Sequence, residues 1–246
     1  MFLLIFYKTK KMKSIVLGGT GSVGRNLIQF MVNSPKYQTI FLPVRHVLPE
    51  WTSLSPEKKG KLKIIEVPDL NFLSYPTTQL VQYFGNEKID SLFNCLGAQS
   101  SDIYNFIQVD KIYTMKSIDL CERMNIDHFS VISNSYASSQ SSSLYQSIKW
   151  QIEEEALRSR IKYVDIYKPY QLEGRENAGC MEKFYSCICC CIDGTHVFEL
   201  AKAMTVSDVL IYNNRTNGEQ GILNGYRKQW NPEQIYYLAA YEKYPK

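Results

Sequence analysis

Residues 13–33 decide the fold, and they read KSIVLGGTGSVGRNLIQFMVN. The short, mainly apolar run at residues 13–17 predicts a buried β-strand, because it stops at a group of glycines. After the glycines, residues 25–33 predict a helix, because apolar residues recur at helical spacing and share one of its faces: Leu27, Ile28, Met31 and Val32. The stretch therefore predicts a strand, a glycine-rich turn and a helix that packs back on the strand.

The turn satisfies two glycine patterns at once. Gly18, Gly21 and Gly24 fit G-x-x-G-x-x-G, and Gly19 with the last two fits G-x-G-x-x-G. Such glycines permit a tight turn, let a pyrophosphate approach the backbone, and let the helix pack closely on the strand. The unpaired amides and the dipole of the helix N-terminus favour the anion. We therefore predict dinucleotide binding here; the alternative is a glycine turn that binds nothing.

Strand-like and helix-like patterns continue to alternate after this unit. Further apolar runs predict strands at residues 39–42, 62–67, 91–96, 128–133 and 162–167. Helical patterns lie between and after them at residues 77–84, 103–124, 144–159 and 198–211. Continuous apolar runs are typical of parallel strands that are buried on both faces. The predicted fold class is therefore α/β, with a Rossmann-type doubly wound parallel sheet.

The domain organisation is predicted to have three parts. Residues 1–12 form an N-terminal extension, residues 13–170 form the core, and residues 171–246 form a small C-terminal region that packs on the core beside the substrate. The last 25 residues contain aromatic clusters whose fold the pattern does not predict.

The composition excludes several function classes. The net charge is +4, from 28 Lys+Arg and 24 Asp+Glu, which is too small an excess to favour nucleic acid or an anionic membrane as a partner. No window approaches the roughly 18 apolar residues of a membrane span. The partner that we expect is a small-molecule substrate.

The seven cysteines are odd in number, and four of them fall within residues 187–191. This does not resemble a disulfide framework and favours a reducing, cytoplasmic compartment. Because no second C-x-x-C pair exists, we expect small buried apolar groups here and no metal site; a metal or redox site is the alternative.

Two residues after the predicted strands bear on the cofactor. NAD sites usually carry an acid about 20 residues after the glycines, bonded to the ribose. Here Arg45 occupies that place, and a guanidinium can bind a 2′-phosphate in a bidentate manner. We therefore favour NADP(H), with NAD(H) as the alternative. Asp69, just beyond the third strand, is expected near the adenine or in a turn.

Tyr145 and Lys149 form Y-x-x-x-K on a predicted helix, where residues four apart share a face. An ammonium beside a phenol favours the phenolate form, so the tyrosine can act as an acid or a base. Ser133 ends the fifth predicted strand, where its hydroxyl could hold a substrate carbonyl or a developing oxyanion. The alternative is a surface helix with an exposed lysine.

Together these residues resemble the short-chain dehydrogenase/reductase superfamily over residues 13–210, and within it the atypical branch of Tat-interacting-protein-like oxidoreductases. The glycine loop, Arg45, the strand end with Leu96-Gly97, Ser133, Tyr145 and Lys149 follow the family order. The chain departs from the family at Tyr170, where a glycine commonly follows the proline.

The resemblance implies a Rossmann fold, NADPH binding and Tyr145 as acid/base, with Ser133 in support and Lys149 bound to the nicotinamide ribose. It implies cofactor contacts at these residues: Gly18, Thr20, Gly21, Ser22, Val23, Gly24, Arg45, Asp69, Leu96, Gly97, Lys149 and Pro169. Three functions stay open: an NADP(H)-dependent oxidoreductase, a non-catalytic NADP(H)-binding regulator, and a nucleotide-sugar epimerase, which we expect to need a larger C-terminal region. The resemblance is consistent with both a homodimer and a monomer.

Overall fold

The computed structural model describes residues 11–98, 102–174, 194–216 and 225–241. The strands are β1 (Met12–Leu17), β2 (Tyr37–Val44), β3 (Leu62–Glu66), β4 (Ser91–Asn94), β5 (His128–Ile132), β6 (Tyr163–Tyr167), β7 (Leu172–Glu173), β8 (Thr195–His196) and β9 (Tyr226–Trp230). The α-helices are α1 (Ser22–Asn33), α2 (Pro49–Thr52), α3 (Pro56–Lys61), α4 (Thr77–Phe84), α5 (Ile103–Phe106), α6 (Tyr113–Arg123), α7 (Leu144–Arg158), α8 (Val197–Thr216) and α9 (Pro232–Ala239). A 3-10 turn lies at Asn71–Ser74, and a π-helical segment at Ile107–Ile112 joins α5 to α6.

Seven of these strands form one parallel sheet in the order β3-β2-β1-β4-β5-β6-β9. The chain first builds outward from β1 to β3 and then returns to continue from β4 on the other side of β1. The strand order therefore reverses between β1 and β4, which is where open α/β sheets bind ligands at their carboxyl ends. The predicted fold class, a doubly wound Rossmann-type sheet, is confirmed.

Hydrophobic cores lie on both faces of the sheet. Along β1, Met12 and Val16 point into one core, whereas Ile15 and Leu17 point into the other, because successive side chains of a strand face opposite sides. Helices α1, α8 and α9 cover the first face, and α4, α6 and α7 cover the second. The predicted apolar face of α1 is buried. This packing explains why the strands read as continuous apolar runs.

The predicted long helix at residues 103–124 exists but is not uniform. It consists of α5, the π-helical segment and α6 in direct succession. Asp110, within the π-helical segment, is buried.

The structure extends the Rossmann core beyond the predicted boundary at residue 170. Strand β9, whose sequence is YRKQW, pairs with β6 and closes the sheet. Its position at the edge of the sheet explains why the pattern missed it, since an edge strand tolerates polar and charged side chains. At the other end, β1 begins at Met12, which is buried although we assigned it to the extension.

No described helix is both long enough and apolar enough to cross a membrane. The cysteine-rich stretch at residues 187–191 and Cys180 lie outside the described ranges. The described cysteines, Cys95 and Cys121, are free thiols.

Candidate functional site

The glycine loop joins β1 to α1 and touches the end of β4. Gly18 has a φ of +76°, and a Cβ at this position would lie 2.5 Å from the carbonyl oxygen of Cys95. A Cβ on Gly24 would lie 2.2 Å from the carbonyl oxygen of Gly18. Both positions thus need glycine for backbone reasons. The N-cap of α1 is Gly21, and no side chain occupies the cap, so the first amides of the helix are available to an anion.

A first cavity of about 360 Å³ lies between this loop and the ends of β2 and β3. The structure brings five of the predicted cofactor residues to its wall: Gly18, Thr20, Arg45, Asp69 and Leu96. Arg45 directly follows β2 and is exposed, so its guanidinium is accessible to a ligand in this cavity. Asp69 accepts from both the backbone and the side-chain nitrogen of Asn71, each at 2.7 Å, so turn chemistry accounts for it at least in part.

A second cavity of about 400 Å³ lies over the ends of β4 and β5. The predicted residues at its wall are Ser22, Val23, Leu96, Gly97, Ser133, Tyr145, Lys149 and Pro169. Because Leu96 and Ala98 line both cavities, the two adjoin across the crevice. Gly21 and Gly24 line neither cavity and instead shape the loop between them.

The Tyr–Lys pair lies on the first half of α7 and faces the second cavity. The Nζ atom of Lys149 is 5.6 Å from the centre of the Tyr145 ring. Tyr145 is 42% exposed, whereas Lys149 is only 4% exposed. The ring of Phe106 lies 5.7 Å from the tyrosine ring and supports it from α5. The predicted juxtaposition of phenol and ammonium is therefore present.

Lys149 has a buried partner that the sequence pattern did not identify. Its Nζ lies 2.9 Å from an oxygen of Asp110, and it donates to the backbone oxygen of Ile132 at 3.3 Å. Burial lowers the pKa of Lys149, but Asp110 and other negative groups outweigh this effect and raise it above its usual value. The lysine is therefore a stable cation. One signal in the sequence could have identified this partner. Asp110 is an acid four residues after the buried Phe106, and on a helix that spacing places it on the face turned to the sheet.

Ser133 has a different environment from the one we predicted. It is buried, and its hydroxyl donates to Glu153, whose carboxylate also accepts from Lys168 at 2.7 Å. A hydrogen bond to a substrate carbonyl or oxyanion would need the hydrogen that Ser133 gives to Glu153. In the arrangement seen here the serine therefore presents an acceptor to the cavity, and its role towards a substrate stays a prediction.

No family model matches the sequence. MoeE5 in complex with UDP-glucose and NAD has a similar structure, with a TM-score of 0.63 and 14% identity over 89% of this chain and 75% of that chain. UDP-glucuronic acid 4-epimerase from Bacillus cereus, in complex with NAD, gives a TM-score of 0.61 and 15% identity over 89% and 76%.

A third similar structure is UDP-N-acetylglucosamine 4-epimerase from Methanobrevibacter ruminantium M1 in complex with UDP-N-acetylmuramic acid. It has a TM-score of 0.59 and 16% identity over 90% of this chain and 76% of that chain. Identities this low establish the fold alone. The chain therefore shares the Rossmann fold of these solved structures, and the fold that its sequence resemblance implied is confirmed.

Proposed function

We propose that this protein binds NADP(H) across the two adjoining cavities and transfers hydride to or from a small carbonyl or alcohol substrate. The observation that carries the proposal is the position of the Tyr145–Lys149 pair, which lines the cavity next to the one formed by the glycine loop. A dinucleotide held at the loop would therefore extend towards the phenol.

The residues that form the glycine loop and line the two cavities fit a bound dinucleotide. The Gly18 and Gly24 positions leave no room for a Cβ, and the uncapped start of α1 provides amides for a pyrophosphate. Arg45 and Asp69 would lie on the adenosine side. The residues on the nicotinamide side would be Leu96, Gly97, Lys149 and Pro169.

The preference for NADP(H) rests on Arg45. Two of the similar structures described above hold NAD, so the comparisons favour a nicotinamide dinucleotide but not the phosphorylated form. A guanidinium at the wall of the first cavity is suited to a 2′-phosphate, and the carboxylate that usually binds a free ribose is absent from this position.

Replacing Arg45 with alanine is expected to raise the Kd for NADPH about ten- to hundredfold and to leave the Kd for NADH nearly unchanged, because only NADPH loses a charge-assisted hydrogen bond. Titration of each dinucleotide against the melting temperature measures both values. Lys59→Ala removes the same charge from the exposed helix α3 and is the matched control. Equal weakening of both dinucleotides would contradict the assignment of Arg45.

In the proposed reaction the bound dinucleotide supplies or accepts the hydride at the substrate carbon. Tyr145 donates its phenolic proton to the carbonyl oxygen during reduction and takes a proton from the alcohol during oxidation. Lys149, held as a cation and buried beside the ring, stabilises the phenolate that remains after proton donation. Ser133 accepts a hydrogen bond, so it is suited to the hydroxyl group of an alcohol.

Replacing Tyr145 with phenylalanine is expected to preserve the rise in melting temperature on NADPH binding and to lower turnover about 10²- to 10⁴-fold, because only the proton donor is lost. NADPH absorbance with a panel of carbonyl compounds measures turnover, and Tyr237→Phe on the exposed face of α9 is the control. Since the similar structures hold nucleotide sugars, UDP-glucose and UDP-glucuronic acid are tested in the oxidative direction, with NADP⁺ in place of NADPH. Undiminished turnover in Tyr145→Phe would contradict the proposed role.

A non-catalytic NADP(H)-binding regulator is the second candidate. The observation that favours it is Tyr170, which lines the second cavity and packs against Tyr136 with 6.2 Å between ring centres. A bulky ring here would narrow the space in which a nicotinamide and a substrate would have to lie. Saturable NADPH binding without turnover of any compound in the panel would support this candidate over the oxidoreductase.

A further inference from the structure

The described wall of the second cavity presents aromatic rings and no unpaired charge. Three of the residues that line it are tyrosines, namely Tyr136, Tyr145 and Tyr170. The charged side chains among its described lining residues are Asp110 and Lys149, which lie 2.9 Å apart and neutralise each other. A ligand in this cavity therefore meets aromatic surface and no free counter-charge on the part of the wall that the structure describes.

Two of these rings, those of Tyr136 and Tyr170, form one continuous aromatic surface. Their centres are 6.2 Å apart, and their planes are inclined by 38°. Tyr136 is 58% exposed, so much of its ring is open to a ligand. Tyr170 is tied to α9, because its hydroxyl donates to Glu233 at 3.4 Å. A planar aromatic group can pack on such a surface in an offset-stacked or an edge-to-face arrangement.

We propose that the second cavity binds uncharged, planar aromatic carbonyl compounds and the corresponding alcohols, with the ring of the ligand against Tyr136 and Tyr170. This names the substrate class of the proposed oxidoreductase and rests on that function for its chemistry. In reduction the carbonyl carbon gains the hydride of NADPH, which leaves NADP⁺, and the oxygen gains the proton of Tyr145. The phenolate regains its proton from water. A flat ring also suits the space narrowed by Tyr170 better than a puckered sugar ring does.

Electrostatics disfavour a nucleotide sugar in this cavity. Its diphosphate is negatively charged, and the transfer of a charge out of water is costly unless a counter-charge meets it. An exposed cation, Arg45, lines the first cavity. The charge beside the aromatic surface is instead the carboxylate of Glu233, and the nearby Lys168 is bound to Glu153. We therefore expect phosphate groups in the first cavity and an uncharged ligand in the second.

Two matched pairs of ligands test the proposal with the full chain and without a dinucleotide. Acetophenone and cyclohexyl methyl ketone carry the same carbonyl group on a ring of equal size, but only acetophenone has a planar aromatic ring. Methyl 4-acetylbenzoate and 4-acetylbenzoate differ in the negative charge. Ligand-observed NMR titration measures each Kd. We expect acetophenone to bind about three- to tenfold more tightly than cyclohexyl methyl ketone, and the ester to bind more tightly than the carboxylate by a similar factor.

A variant assigns the binding to the aromatic surface. Tyr136→Ala is expected to raise the Kd of acetophenone about three- to tenfold, because the ligand loses one of its two ring contacts. Tyr136 lies in an exposed turn, where its side chain contributes little to the core. Tyr136→Phe keeps the ring and is expected to retain the wild-type Kd. Tyr237→Ala removes an exposed tyrosine from α9 and is the matched control.

Four results would each overturn the proposal: no measurable binding of acetophenone, equal Kd values for the two ketones, tighter binding of 4-acetylbenzoate than of its ester, or an unchanged Kd for acetophenone in Tyr136→Ala. Because these titrations contain no dinucleotide, they report on the cavity alone. The proposed function fails by a different result, namely the absence of a melting response to NADPH in the wild-type chain.

Discussion

A Gly18→Ala variant is expected to lose about 3 kcal/mol of the free energy of unfolding and to show no melting response to NADPH. The φ of +76° costs an alanine of order 1–3 kcal/mol. Its Cβ would also lie 2.5 Å from the carbonyl oxygen of Cys95, so β1 and β4 must separate at their carboxyl ends. Forced repacking of this kind adds roughly 1–3 kcal/mol. The loss of binding follows because that separation moves the amides of the loop.

Urea denaturation measures the change in stability, and Gly60→Ala is the matched control. A Cβ on Gly60 meets nothing within 4 Å, and the residue lies in the exposed helix α3. Because alanine is the better helix former, the control is expected to equal or slightly exceed the wild type in stability. A Gly18→Ala protein as stable as this control would show that the turn does not have the geometry described above.

The second large effect is a pH dependence of the free energy of unfolding. It comes from a buried histidine at the amino ends of the strands, away from the two cavities. His128 lies between two carboxylates, with Nδ1 2.8 Å from Asp208 on α8 and Nε2 3.1 Å from Asp165 on β6. Burial lowers the pKa of His128, but the two carboxylates outweigh it and raise the pKa from 6.5 to about 9. The folded protein therefore binds this proton more tightly than the unfolded chain does.

The stabilisation that the protonated His128 provides is fully present below 6.5, the pKa of this histidine in the unfolded chain. It is lost as the pH rises through about 9, the pKa in the folded protein. The shift corresponds to about 3 kcal/mol. We expect the free energy of unfolding to be lower at about pH 9.5 than at about pH 6 by an amount of this order. Urea denaturation at the two pH values checks this directly.

Two variants separate this effect from the titration of other groups. His128→Gln is expected to be less stable at the lower pH and to lose most of the pH dependence, because a glutamine cannot carry the proton. His196→Gln changes an exposed histidine and is expected to keep the wild-type pH dependence. If His128→Gln retained the full difference between the two pH values, the assignment to His128 would be wrong.

The course of the chain through the first six strands could be predicted well from the sequence. Strand β1, helix α1 and helix α4 begin and end within three residues of their predicted bounds, because each has an apolar face or a glycine or proline at its boundary. Strand β9 could not be predicted. Its residues Arg227, Lys228 and Gln229 are exposed, so no apolar pattern marks it.

In the candidate site, too, some features could be predicted from the sequence and others could not. Spacing along one helix was enough to bring Tyr145 beside Lys149, and the glycine pattern was enough to predict the loop. The partner of Ser133 was not predictable from spacing: Glu153 reaches it only because α7 packs against the end of β5. This contact occupies the hydroxyl hydrogen that the predicted role of the serine would use.

The sequence by itself determined the strand–loop–helix unit, the Rossmann order of elements and the Tyr–Lys pair, because these depend on backbone geometry and on side-chain periods within short stretches. The tertiary structure alone decided which charges meet in the interior, namely Asp110 with Lys149, Glu153 with Ser133 and Lys168, and His128 with Asp165 and Asp208. Such pairs join different elements, and their partners are selected by packing in a poorly hydrated interior, which no local pattern records.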